Sequence, residues 1–288
     1  MRPSAIWTPP KAASKIIKVV ESFSAAHNID RFPLDVPSVA REAASIFGWS
    51  DPIAEVQAAH INSFEGALIP NDERTKWMLL YNDRMASPGR IRFTQAHELG
   101  HYILHRTKRD GFYCGDDEVL SGLGDEANIE NQADAFASYL LMPIDDFRLQ
   151  LPIKVDLDVL GRCAMRYGVS LTAAVLKWIQ FTDEKAMMIM SRDGFVDWAW
   201  SSQSAASAGA FYKSRQQTIE IPPETLAADS SATVEREGIE VEATKWFKHA
   251  DKSLTLREMK LQMDRFDCTL ILLVMPKLSS FWPPFNSD

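Results

Sequence analysis

The strongest constraint in the chain is the run His97-Glu98-Leu99-Gly100-His101. Two histidines four residues apart act together only on a helix, where positions i and i+4 lie one turn apart on the same face. Pro88-Gly89 precede the run, and the spacing predicts a helix over about residues 90–106. On that helix both imidazoles can point at one metal ion while Glu98 reaches water bound to it, the H-E-x-x-H arrangement of zinc hydrolases. A carboxylate beside water acidified by Zn2+ can take its proton and later deliver it to a leaving amine.

A catalytic zinc needs three protein ligands and one open position. The metzincin solution, a Gly and then a third His at set positions further along the same stretch, is ruled out, because those positions hold Leu104 and Thr107. The next predicted helix, about residues 126–141 and ending at Met142-Pro143, offers Glu130, with Asp134 four residues later on the same face. Glu130 is read as the third ligand, and Asp134 as the carboxylate that holds a ligand histidine in its tautomer. His105, two turns beyond His97 on the same face, is a candidate contact for substrate or transition state. Tyr113 and Tyr139 are candidates to hydrogen-bond the developing oxyanion. Cys114, a lone cysteine in the loop between the motifs, is read as an ordinary thiol rather than a fourth ligand.

Arg92-Phe93-Thr94-Gln95-Ala96-His97-Glu98-Leu99-Gly100-His101, then Glu130-Asn131-Gln132-Ala133-Asp134-Ala135-Phe136-Ala137 and Leu140-Leu141-Met142-Pro143, resembles the ImmA/IrrE family of metallopeptidases over roughly residues 10–180. The resemblance implies a zincin-like domain in which His97, His101 and Glu130 hold zinc and Glu98 is the catalytic base. It also implies the partner, a helix-turn-helix repressor whose cleavage switches on mobile-element or stress-response genes. Asp134 stands where the family often has asparagine.

The rest of the chain reads as α+β. Helices are expected over about 11–27 and 36–47, with a small antiparallel sheet from the runs 53–61, 63–69 and 76–81. An extended substrate is expected to pair with that sheet along one of the last two runs. Residues 108–125 read as a polar loop and 157–181 as a helix-turn-helix-like pair turning at Gly168-Val169-Ser170. Beyond residue 184, Ser191-Arg192-Asp193-Gly194 marks a hairpin. Strands are expected at 218–222, 238–244 and 268–275, a helix around 254–266, and a loop over 201–210. The expected domains are a metallopeptidase domain at 1–150, the helical segment at 151–183, and a C-terminal α+β sensor or docking module at 184–288.

Charge and cysteine content narrow the partners. Lys and Arg number 31 against 39 Asp and Glu, a net charge of −8, which argues against a protein that coats nucleic acid. Residues 151–183 carry four basic and three acidic side chains, too balanced for a DNA-reading helix, so direct DNA binding is not expected. The three cysteines are scattered with no C-x-x-C pair, which fits a reducing, cytoplasmic setting, and no apolar run is long enough to span a membrane. The competing function is a non-catalytic zinc module that captures a repressor or DNA. The intact Glu98 favours catalysis, since a structural zinc needs no base beside an open position.

Overall fold

A computed structural model describes residues 7–60, 64–85, 87–114 and 125–283. The chain divides into two compact units, residues 1–150 with 163–170, and residues 151–162 with 171–288.

In the first unit, α1 (Pro9–His27) buries Ala12, Ala13, Ile16 and Ile17 and stops at Asn28, whose left-handed backbone (φ 52°) returns its N–H to Ser24 O. Helix α2 (Val36–Phe47) starts where the Asp35 side chain accepts from the Ser38 N–H and ends at Gly48 (φ 74°), the two capping devices expected of such a segment. A four-stranded sheet follows, built from β1 (Ile53–Ala58), β2 (Gly66–Pro70), β3 (Trp77–Tyr81) and β4 (Phe112–Cys114) in the order β1-β3-β2-β4.

This sheet departs from the sequence reading in three ways. It is mixed, because β3 pairs antiparallel with β2 but parallel with β1. The β2–β3 hairpin, held at its turn by the Asn71 side chain accepting from the Thr75 and Lys76 N–H groups, places β3 between β1 and β2. The two runs expected to offer a free edge are therefore the interior strands, consistent with the burial of Ala67, Leu68, Trp77 and Leu79. The edges are β1 and β4, and β4 lies in the stretch expected to be loop.

Helix α3 (Pro88–His105) begins at Ser87, whose hydroxyl accepts from the Arg90 N–H. It is followed by α4 (Asp125–Leu141) and α5 (Ile144–Leu149). The end of α3 is fixed to the start of the sheet through Asp51. Its carboxylate accepts from Trp77 Nε1 at 3.2 Å and Arg106 Nε at 3.1 Å, and its carbonyl accepts from Tyr102 Oη at 2.9 Å.

Helices α6 (Leu157–Tyr167) and α7 (Leu171–Phe181) flank the expected turn, where Gly168 takes a positive φ of 61° and its carbonyl accepts from Arg92. In the second unit, β5 (Lys185–Arg192), β6 (Phe195–Ser201), β7 (Val234–Glu242), β8 (Thr255–Met263) and β9 (Cys268–Met275) form an antiparallel sheet in the order β6-β5-β9-β8-β7. The β5–β6 hairpin turns at Asp193 and Gly194, both with positive φ, as the sequence predicts.

Strand β8 replaces the expected helix. Its Leu, Arg, Glu, Met, Lys and Gln residues favour helix, but the segment pairs on both sides, with β7 and β9, and tertiary pairing overrides propensity. The expected strand at 218–222 is reduced to a single bridge between Phe195 and Glu220. Within the expected loop at 201–210, α8 (Gln203–Ser207) forms under a Ser202 cap. No helix among the described residues is long and apolar enough to cross a membrane.

On α7, Lys177 is 1% exposed, and burial lowers its pKa from 10.5 to about 8. A base with a lowered folded-state pKa costs stability. That cost is fully present below about pH 8 and is relieved as pH rises towards 10.5. In denaturant titrations wild type is therefore expected to gain stability relative to Lys177→Met as pH rises from about 8 to 10.5; a pH-independent difference would remove the buried charge as its cause.

Candidate metal centre

The site grows from the packing of α4 on α3. Residues Thr94 to Ile103 of α3 are buried without a break, so the motif lies in a helix enclosed on most sides. Gly100, inside the motif, has no side chain, and a Cβ there would come within 3.0 Å of the Phe136 ring and 3.2 Å of the Ala133 backbone. The bare glycine lets the two helices approach at that point. Their closeness brings Glu130 and Asp134 to the histidine face.

His97 Nε2 lies 2.9 Å from His101 Nε2 and 3.1 Å from Glu130 Oε2, and His101 Nε2 lies 3.4 Å from the same oxygen. The three atoms form a triangle. An ion bound tetrahedrally at about 2.0–2.1 Å from each ligand would set them roughly 3.3 Å apart, so the triangle has about the size of one face of a zinc coordination shell. Two imidazoles and a carboxylate are also zinc's preferred chemistry, and the group is one that can hold a metal ion.

The electrostatics point the same way. For His97, burial favours the neutral ring, but hydrogen bonds with Asp134 and Glu130 outweigh it and raise the pKa to about 10. For Glu130, burial opposes ionisation, yet hydrogen bonds with His101 and His97 hold its carboxyl well below the usual range. His101 is shifted the other way, burial being the largest cause. A triangle that draws a proton so strongly is one in which a metal cation would displace that proton.

Glu98, adjacent to His97, is 0% exposed, and its charge contributes to holding the His97 pKa up. Strand β2 lies against it. A Cβ on Gly66 would come within 2.6 Å of Glu98 Oε1, so glycine at the start of the strand is what leaves room for the carboxylate. Asp134 Oδ1 is 2.8 Å from His97 Nδ1, leaving Nε2 to face the triangle. The His101 ring is stacked by Phe112 of β4, with centroids 4.4 Å apart and planes at 16°.

The remaining sequence candidates are placed as follows. His105 is 0% exposed, with Nδ1 3.2 Å from His101 Nδ1 and Nε2 3.2 Å from Gln132 Oε1. Tyr113 is 55% exposed on β4, next to Phe112. Tyr139 is nine residues beyond Glu130, about 13 Å further along the axis of α4. The Cys114 side chain lies outside the described residues. Gly66, Phe112 and Gln132 were not singled out from sequence; only Gln132, two residues past Glu130, sat near a recognisable signal.

Residues 52–178 match the IrrE N-terminal-like domain of the M78 peptidases. This part of the chain is similar to an M78 peptidase domain. The matched range includes α3 and α4, the helices that carry His97, His101 and Glu130. No curated protein matches the chain.

Proposed function

We propose that the protein is a zinc-dependent endopeptidase that cleaves a protein regulator, a helix-turn-helix transcriptional repressor, in the cytoplasm, so relieving repression in a stress or mobile-element response. The observation that carries this reading is the juxtaposition, inside an M78-like domain, of the His97–His101–Glu130 triangle with the buried carboxylate of Glu98. When bound, zinc would polarise the scissile carbonyl and acidify water. Glu98 takes the proton of the attacking water on its carboxylate and passes it to the leaving amine nitrogen. Asp134 accepts from His97 Nδ1 and keeps that ring oriented.

Substrate is assigned to the outer edge of β4. Among the described residues no strand pairs with that edge, and Phe112 on β4 stacks on His101, so a peptide paired there runs beside the triangle. Main-chain pairing of this kind holds an extended segment with little regard to sequence. Selectivity then falls to surfaces outside the M78-like domain. The five-stranded unit contributes none of the metal-capable group, and it is assigned docking or sensing.

The test is co-expression with helix-turn-helix proteins encoded nearby, followed by mass spectrometry of the products. Cleavage at one site is expected, and it should fall in Tyr113→Pro, which removes an N–H from the edge strand, with zinc content unchanged. A stable complex with an intact partner would favour the non-catalytic capture module instead. Full-rate cleavage by Tyr113→Pro would move the substrate off β4.

A further inference from the structure

The side of His101 that faces away from the triangle carries the observation that goes furthest. Its Nδ1 is 3.2 Å from Nδ1 of His105, whose Nε2 is 3.2 Å from Gln132 Oε1, while Gln132 Nε2 lies 3.0 Å from Asn128 Oδ1. His105 is four residues after His101 on α3, and Gln132 is two residues after Glu130 on α4. The same short stretch of α4 thus serves both ends of the histidine row, with Asp134 at His97 and Gln132 at His105.

The direction of this chain follows from donor and acceptor chemistry. Gln132 donates its amide to Asn128, so its carbonyl faces His105 and can only accept. His105 must then carry its proton on Nε2, which leaves Nδ1 as a bare acceptor. His101 must donate from Nδ1, and its lone pair is left on Nε2, the atom in the triangle. We infer that His105 is a positioning residue that selects the metal-binding tautomer of His101, with Gln132 setting the direction of the relay. His97 receives the same service from a carboxylate. A neutral imidazole serves His101, so this side of the site is oriented without adding negative charge to it.

The inference rests on the reading of the triangle as a zinc site, and the experiment separates the two. In full-length protein, zinc affinity is measured by chelator competition, with apo-protein melting as the check on folding. His105→Phe keeps a buried ring of similar size but no acceptor, and it is expected to weaken zinc binding by about 10–100-fold, the range for loss of such a partner. His105→Asn places an acceptor oxygen near the Nδ1 position and should recover most of the affinity.

Equal affinity in His105→Phe and wild type overturns the inference, as does equal weakening by Phe and Asn, which would mark a packing role. A second measurement does not depend on any variant folding. In 15N-histidine-labelled, zinc-loaded wild type, His101 should carry its proton on Nδ1 and His105 on Nε2, and a proton on His105 Nδ1 overturns the relay. Wild type that binds no zinc defeats the metal reading itself, and the inference with it.

Discussion

Glu98→Gln is expected to retain zinc and the folded site while cleavage of the cognate regulator falls by about 10²–10⁴-fold, the usual contribution of a positioned general base. The amide nearly matches the carboxylate in size, which matters because Glu98 is fully buried and β2 approaches it so closely that Gly66 leaves no room for a Cβ. A smaller replacement such as alanine would open a hole beside the strand and confuse loss of chemistry with loss of packing. What glutamine loses is the ability to accept a proton from water and hold it for the leaving amine. The readout is the rate of product formation at equal zinc content. Because the removed interaction belongs to the transition state, kcat should fall more than KM rises. Undiminished cleavage would dismiss Glu98 as the base.

Local periodicity made the candidate metal group of this protein legible, and long-range pairing hid the rest. The i, i+4 spacing of His97 and His101 needs only a helix to acquire meaning, and the Pro88-Gly89 start and the second helix around Glu130 could be read the same way. The hairpin at Asp193-Gly194 is likewise a local turn whose residues accept positive φ. Strand direction is different, because the apolar content of β1 and β3 is the same whether they pair parallel or antiparallel. The edge expected for substrate therefore lay on the wrong strands. Strand β8 shows the other failure, since its residues favour helix and only its two neighbours make it a strand. His105 sat on the correct face in the sequence, but its partner Gln132 depends on how closely α4 approaches α3. That distance is set by the absence of a side chain at Gly100 against Ala133, a contact 33 residues apart in the chain.

Removal of one ligand should separate the metal's contribution to chemistry from its contribution to the fold. Wild type is expected to purify with about one zinc per chain. Glu130→Ala should lose most of it, because two imidazoles alone leave the ion held only from the α3 side. Glu130 is suited to the task beforehand, since hydrogen bonds with His101 and His97 keep its carboxyl ionised at every physiological pH. Zinc that binds the folded but not the unfolded chain stabilises it by mass action, about 4 kcal/mol when free zinc is a thousandfold above Kd. For a unit of this size that corresponds to roughly 10 °C in melting temperature. A chelator should therefore lower the melting temperature of wild type by about that amount and leave Glu130→Ala almost unchanged. Asp134→Asn supplies the contrast. It keeps all three donors and only weakens the partner of His97 Nδ1, so it should retain zinc at about 10–100-fold lower affinity and keep a chelator-sensitive transition. If Glu130→Ala held zinc as wild type does, and Asp134→Asn lost it, the third ligand would be Asp134, and α4 would have to turn to present it.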